Sequence, residues 1–163
     1  MPYILFFHDG ATTVEVFASH LLRYAACGYG VLIAGYPGFG GNRGTPNQGT
    51  IFEAGRLYAG WVSTHASDSP LVIWGEGIGS AVAVEAALTV PPAALVMDSA
   101  DVDGNRGCRS VSMAARRVFL QGVGHPAYRL DVSGRAVSAV SQLLAAADRA
   151  GARSGQGCLS PPV

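Results

Sequence analysis

A glycine-rich segment between a hydrophobic run and a helix-forming run is the part of the sequence best suited to chemistry. Residues 71–85 have the sequence LVIWGEGIGSAVAVE, which predicts a buried strand, a tight turn and a helix. Two chemistries use this arrangement. One presents a nucleophile at the tip of a strained turn, and the other holds the phosphates of a dinucleotide at the start of the helix.

The nucleophile alternative matches residues 75–79, GEGIG, to the pattern G-x-S-x-G at every fixed position except the nucleophile, where Gly77 stands. In such a turn the Ser attacks a carbonyl carbon, a His accepts its proton and an acid orients the His. Gly77 has no side chain, so this route of attack is closed. Ser80 lies three residues further on, which predicts a capping or packing role inside the first helical turn.

The dinucleotide alternative also has a good local match. Gly75, Gly77 and Ser80 fit G-x-G-x-x-small, and Asp98 ends the next predicted strand 23 residues after Gly75, where a ribose-binding acid would lie. Such a fingerprint normally lies in the first strand–helix unit of its domain, whereas two units precede it in this chain. A dinucleotide-binding oxidoreductase is therefore the weaker alternative.

Strand and helix patterns alternate along the first 100 residues and must position this turn. The predicted strands are residues 3–8, 31–34, 71–74 and 94–97, and the predicted helices are residues 14–25, 50–63 and 80–88. This alternation predicts an α/β fold, with a mostly parallel sheet of about four strands and helices on both faces. Later in the chain only residues 118–120 have a strand pattern, and residues 137–147 have a weak helical one.

The two parts of the chain differ in charge. Residues 1–100 contain three arginines and seven acidic residues, whereas residues 101–163 contain eight arginines, four aspartates and no glutamate. We therefore predict a partial α/β core over residues 1–100 and a poorly patterned, irregular and partly disordered C-terminal segment over residues 101–163.

The bulk composition narrows the class of protein. The chain has 163 residues, 49% of them hydrophobic, and a formal net charge of zero, which argues for one core and against nucleic-acid or membrane partners. Three cysteines without metal-ligand spacing argue against a disulfide framework and for a cytoplasmic location. No apolar segment is long enough to span a membrane. His20 and His65 have no partners at metal spacing, so no cofactor is expected.

Four segments in order resemble the α/β-hydrolase superfamily, close to the serine aminopeptidase-like hydrolases. They are ILFFHDGAT, GYGVLIAGYPGFGGNRGTPNQG, LVIWGEGIGSAVAVEAA and PPAALVMDSA. These are similar to the family's strand and oxyanion loop, its next strand and loop, its elbow segment and the strand that follows. The resemblance covers about residues 3–100.

The resemblance implies a serine hydrolase that acts on small-molecule esters or amides. It makes the Gly77 position the lost nucleophile of an elbow and predicts an oxyanion loop before it. The implied elbow residues are Gly75, Glu76 and Gly79, and the implied oxyanion and binding residues are His8, Asp9, Gly10 and Ile78. The backbone amides of Gly10 and Ile78 would form the oxyanion hole.

The chain departs from the family pattern at further positions. Asp9 stands where the family has Gly and would place a carboxylate beside a developing oxyanion, and Gly35 stands where the family has Asp. After residue 77 the only histidine is His125, a weak candidate base. Asp98, Asp101 and Asp103 are candidate acids by position only. We therefore expect impaired catalysis, and a non-catalytic remnant or binding module, a pseudoenzyme, is the main alternative.

The C-terminal segment suggests a change of reading frame. Codons that encode residues 101–113 permit a one-base shift that gives TSTATAAAARYPW, and the final Trp is forced, because ATG for Met113 followed by G contains TGG. We hypothesise a chain that is truncated or frameshifted after about residue 100. A sheet shortened in this way would expose an edge, which predicts self-association.

Overall fold

The computed structural model describes residues 2–10, 14–98 and 116–120. Strands and helices alternate in the order that the sequence predicted. They are β1 Tyr3–Phe7, α1 Val14–Ala26, β2 Gly30–Ala34, α2 Gln48–His65, β3 Leu71–Glu76, α3 Gly79–Thr89, β4 Ala94–Asp98 and β5 Arg116–Leu120. The α/β class is therefore confirmed, while the helix pattern at residues 137–147 lies outside the described residues.

The strands form one sheet in the order β2-β1-β3-β4-β5, and every neighbouring pair is parallel. The sheet thus has five described strands where the sequence predicted about four, because β5 extends the strand pattern at residues 118–120. In the register of β1 and β3, Phe7 pairs with Gly75. The segments that follow these two strands therefore leave the sheet side by side.

Helices cover both faces of the sheet, as predicted. Alternate residues of β1 point to opposite sides, so Ile4 and Phe6 pack against α1, whereas Leu5 and Phe7 belong to the core under α2 and α3. Burial of each large apolar side chain stabilises the fold by about 1.5–3 kcal/mol. The two cores hold the strand ends in place from both sides.

Helix α2 begins two residues earlier than predicted because Asn47 caps it. The Asn47 side chain accepts a hydrogen bond from the Thr50 amide at 3.0 Å, and the Thr50 hydroxyl accepts one from the Asn47 amide at 3.1 Å. This reciprocal pair satisfies backbone donors that the first helical turn leaves open. It also ends the long loop that follows β2.

Strand β2 is the outermost strand on its side of the described sheet, and its residues 30–33 are only half-buried. Beside it lies a groove of about 520 Å³ whose lining includes Leu32, Leu57, Tyr58 and Trp61. Leu57 is 65% exposed. An apolar surface therefore lies next to an open strand edge.

The structure bears on two expectations, one about disulfides and one about membrane-spanning segments. Cys27 is disulfide-bonded, although the cysteine count argued against a disulfide framework. Within residues 2–10, 14–98 and 116–120, no helix is both long enough and apolar enough to cross a membrane. The cytoplasmic location stays a prediction.

Candidate active site

The segments after β1 and β3 meet at one edge of the sheet. The chain leaves β1 through α1 on one face and reaches β2 on one side, and it leaves β3 through α3 on the other face and reaches β4 on the other side. Such a change of direction opens a crevice at the carboxyl ends of parallel strands, where ligands bind in open α/β sheets. The predicted site residues His8–Gly10 and Gly75–Gly79 lie at this edge.

The turn between β3 and α3 is tight because its two outer glycines pack against the main chain. A Cβ atom on Gly75 would lie 2.5 Å from Ser80 Cα and would collide with the Gly79 carbonyl oxygen. A Cβ atom on Gly79 would collide with the Phe7 carbonyl oxygen and lie 2.6 Å from its carbon. No side chain fits at either position without a shift of the backbone.

Gly77 lies at the tip of this turn with φ +54°, in the left-handed region that residues with a side chain rarely adopt. Its amide donates a hydrogen bond to the Asp98 carbonyl at 2.9 Å, and its carbonyl accepts one from the Ser80 amide at 3.0 Å. These bonds tie the tip to the end of β4 and to the start of α3. The backbone conformation at this position therefore favours glycine and is supported by two hydrogen bonds.

Asp9 lies against the Gly77 position. A Cβ atom on Gly77 would be 3.0 Å from Asp9 Cγ and 3.3 Å from both Asp9 Cβ and Asp9 Oδ1. Asp9 is only 9% exposed. The carboxyl group thus fills the space that a side chain at position 77 would enter.

His8 is packed into the core rather than presented to the crevice. It is 1% exposed, and its ring lies 4.6 Å from the Tyr36 ring and 5.7 Å from the Phe17 ring. Its Nδ1–H donates to the Asp9 carbonyl at 2.7 Å, while the Tyr36 hydroxyl donates to the His8 carbonyl at 3.0 Å. Sequence reasoning missed Tyr36, since its supporting role depends on a contact across the sheet.

Gly10 and Ile78 are neighbours on this edge. A Cβ atom on Gly10 would be 3.1 Å from Phe39 Cε1 and 3.9 Å from Ile78 Cγ2, so the two segments approach closely. Ile78 is 48% exposed, which leaves this side of the turn open to solvent. The structure therefore brings together the two residues whose amides were predicted to form an oxyanion hole.

Three carboxyl groups come together beneath the turn. Burial, followed by the charges of Asp98 and Asp9, raises the pKa of Glu76 from its ordinary value of 4.5 to about 7. The shift follows from desolvation and like charges, both of which oppose ionisation. Sequence reasoning placed Glu76 in the turn but did not predict this interaction, because it depends on the β3–β4 register that pairs Glu76 with Asp98.

Ser80 has the packing role that its spacing predicted. It is fully buried, and its hydroxyl lies 3.0 Å from the Gly75 carbonyl oxygen and 3.3 Å from that of Asp98. The hydroxyl is therefore occupied with backbone acceptors across the turn and does not reach the surface.

The candidate base and two of the candidate acids lie outside the described residues, and the third acid lies beside Glu76. His125, Asp101 and Asp103 lie outside the described residues. Asp98 ends β4 next to Glu76. Over residues 2–10, 14–98 and 116–120 no group of three or more His, Cys, Asp or Glu side chains is arranged to hold a metal ion.

Comparison with known proteins gives partial matches. No protein-family model matches the chain. An uncharacterized protein of Mycobacterium tuberculosis is 33% identical over 100 residues, which cover 60% of this chain and 36% of the relative. Lysophosphatidylserine lipase ABHD12 of Bos taurus is 30% identical over 110 residues, which cover 60% of this chain and 26% of the relative. The chain thus spans about a third or less of the length of these curated relatives.

Solved structures show a similar fold. A crystal structure described as a predicted CIB-like hydrolase of Thermoplasma acidophilum has a TM-score of 0.61 at 16% identity. The match covers 87% of this chain and 86% of the hydrolase chain. An extracellular α/β-hydrolase of a Paenibacillus species has a TM-score of 0.50 at 15% identity, covering 61% of this chain and 41% of its own. These similarities show the fold of the chain. The chain described here therefore has a partial α/β-hydrolase fold.

Proposed function

We propose that the turn at residues 75–79 is a nucleophile elbow that has lost its nucleophile, in a site built for esters or amides. The observation that carries this proposal is Gly77, which lies at positive φ at the tip of the turn. Both outer glycines are required by their contacts with the main chain. The central glycine differs from them, because the three atoms nearest to its Cβ position belong to the Asp9 side chain rather than to the main chain.

The proposed oxyanion hole is formed by the amides of Gly10 and Ile78. Within the described residues no backbone hydrogen bond engages either amide. Two neighbouring amides at the end of parallel strands suit the oxygen of a tetrahedral intermediate. Asp9 opposes this role, because a buried carboxylate beside the site repels a developing negative charge.

An acyl ester is the substrate class that we infer for the ancestral site. Support comes from a relative named lysophosphatidylserine lipase and from a similar structure of a Paleococcus ferrophilus monoacylglycerol lipase, with a TM-score of 0.50 at 17% identity and coverage of 60% of this chain and 38% of its own. The serine aminopeptidase-like pattern extends the proposal to amides. Catalysis in this chain is impaired, since Gly77 supplies no atom that attacks a carbonyl carbon.

Turnover of an activated short-chain ester tests the proposal. We expect the native chain to hydrolyse a p-nitrophenyl ester at the rate of the heat-unfolded protein. The double variant Gly77→Ser with Asp9→Gly should release a burst of p-nitrophenol if the chain also supplies a general base. Steady turnover by the native chain at a typical enzymatic rate, on the order of 1 per second or more, would contradict it. A silent double variant would show that the chain supplies no competent base, the role for which His125 is the candidate.

A second candidate function is a non-catalytic binding module. The observation that favours it is the close approach of Gly10 to the exposed Ile78 at the carboxyl ends of the strands, which is present although the nucleophile is missing. Protection from thermal unfolding by a short-chain carboxylate, the product of ester hydrolysis, would support this function. Protection by a dinucleotide instead would favour the oxidoreductase alternative that uses Gly75, Gly77 and Asp98.

We also propose that the reading frame changes near residue 100. Support comes from the arginine-rich composition of residues 101–163, which contain no glutamate, and from the Trp codon that the shifted frame forces at Met113. Sequencing of the coding DNA decides this proposal. A one-base correction is expected to restore a segment with an acid and a segment with a His, and the absence of both would overturn it.

Self-association through the β2 edge is the last element of the proposal. Half-buried residues of β2 and exposed Leu57 lie together at this edge, and exposed apolar edges favour pairing with another chain. Sedimentation velocity should show dimers that Leu57→Glu abolishes. The matched control is Leu88→Glu on α3, where the native side chain is also exposed, at 47%. Equal dissociation by both variants, or a monomeric native chain, would contradict an interface at β2.

A further inference from the structure

We infer that Asp9 holds the place of the missing nucleophile side chain, so that position 77 accepts a side chain only when Asp9 is shortened as well. This inference deepens the proposed function, because it names the residue that closes the elbow. Its structural part stands on steric contacts alone and is tested separately from catalysis.

Asp9 occupies the space beside Gly77 that a side chain would need. Three distances between 3.0 and 3.3 Å join the Gly77 Cβ position to Asp9 Cγ, Cβ and Oδ1. Carbon atoms reach optimal separation at about 3.5–4.0 Å. A methyl group at position 77 therefore requires Asp9 to move by several tenths of an ångström.

The Asp9 side chain has little freedom to move. Its side chain is nine-tenths buried. The backbone of residues 8 and 9 is held on one side by the bond from the His8 ring to the Asp9 carbonyl and on the other by the bond from Tyr36 to the His8 carbonyl. Displacement of the carboxyl group would have to occur by rotation within a packed site, close to the acidic group of Glu76.

Gly40 is a control that separates the effect of this contact from the effect of positive φ. Gly40 has φ +58°, close to the +54° of Gly77, but a Cβ atom on Gly40 would meet no heavy atom within 4 Å. Alanine at either position has a comparable cost from positive φ. Only alanine at position 77 also meets Asp9, so the difference between the two substitutions measures the contact.

Thermal unfolding of the full chain tests the inference. Gly77→Ala should lower the melting temperature by at least about 3 °C more than Gly40→Ala. In the Asp9→Gly background this excess should disappear. Asp9→Asn keeps the size of the side chain and removes its charge, so the excess should persist there if the conflict is steric. Gly40→Ala should cost the same in every background.

The outcomes decide the inference in each case. An excess of equal size in the native and the Asp9→Gly backgrounds would overturn it, as would Gly77→Ala that is no more destabilising than Gly40→Ala. If Gly77→Ala fails to fold, recovery of folding in the double variant with Asp9→Gly supports the inference. Failure of both proteins, while Gly40→Ala folds, overturns it.

A second readout connects this pair to the proposed function. Gly77→Ser should react with a fluorophosphonate probe at least about tenfold more slowly than Gly77→Ser combined with Asp9→Gly. If neither protein reacts while the melting-temperature excess depends on Asp9, the chain supplies no base that activates the introduced hydroxyl, and the steric pairing stands. If both react at the same rate, Asp9 does not close the site and the inference fails.

Discussion

The two glycine-rich segments of the molecule use glycine for different reasons. In the β3–α3 turn, Gly75 and Gly79 have no room for a side chain because main-chain atoms surround them. In the loop after β2, Gly40 and Gly41 have positive φ values of 58° and 82°, with open space where a Cβ atom would lie. Packing thus requires glycine at Gly75 and Gly79 in the turn, whereas the local path of the backbone favours it at Gly40 and Gly41 in the loop.

Substitution of Gly79 should show the largest effect of this difference. Gly79→Ala forces the main chain of β1 and α3 apart, and we expect a loss of about 3 kcal/mol in the free energy of unfolding, measured with urea. Gly60 is the matched helical control, since its Cβ position is open. Gly60→Ala should stabilise the chain by about 0.5–1 kcal/mol. Similar effects at both positions would contradict the packing account of the turn.

The raised pKa of Glu76 makes the stability contribution of the turn depend on pH. Because the folded pKa of about 7 exceeds the ordinary 4.5, the folded chain holds this proton more tightly than the unfolded chain. The favourable contribution of this proton to the free energy of unfolding is complete below pH 4.5 and is lost as the pH rises through 7. Its total size is on the order of 2 kcal/mol. Urea unfolding between pH 4.5 and 7.5 should show this decline in the native chain.

Glu76→Gln should remove this part of the pH dependence, since glutamine keeps the shape of the side chain and does not titrate. Glu53→Gln on the exposed face of α2 is the control and should leave the decline in place. A decline of the same size in Glu76→Gln would assign it to another group.

Ser80 provides a smaller test of how the turn is held. Ser80→Ala leaves the carbonyls of Gly75 and Asp98 without the hydroxyl, and we expect a loss of about 1.5 kcal/mol by urea unfolding. Ser19 donates a similar bond to the Val16 carbonyl but is exposed on α1. Ser19→Ala should change stability by less than about 0.5 kcal/mol. Equal losses of unfolding free energy in the two variants would mean that burial of the Ser80 hydroxyl does not add to the stability of the turn.

Gly40→Ala in the loop should have the smallest effect of the series. Its cost comes from positive φ alone and should be about 1 kcal/mol, because no atom opposes the new methyl group. Urea unfolding should also show that Gly40→Asn costs less than Gly40→Ala, since asparagine tolerates this conformation better. A loss as large as that of Gly79→Ala would remove the distinction between the two segments.

Much of the fold was predictable from the sequence because its signals are local. Short apolar runs ended by Gly or Asp marked β1, β3 and β4, and helical spacing marked α1. The glycines of the β3–α3 turn were also found from their spacing. The reason why glycine is needed at each position could not be found from spacing. The contact of Gly79 with Phe7, for example, depends on how strands pair and how closely α3 approaches the sheet.

The interactions around the site were the part that sequence reasoning could not supply. Asp9 was expected to disfavour an oxyanion, but its position against Gly77 depends on the neighbouring ends of β1 and β3. The support of His8 by Tyr36 joins residues 28 positions apart. Such contacts require the strand order, which local patterns do not determine.

The central claim is that the fold of a hydrolase remains without a reacting side chain in the turn. Mass spectrometry after exposure of the native chain to a fluorophosphonate probe tests it most directly. We predict that the peptide carrying residues 75–85 has no adduct and that Ser80→Ala changes nothing. A stoichiometric adduct on Ser80, lost in Ser80→Ala together with ester turnover, would contradict the account.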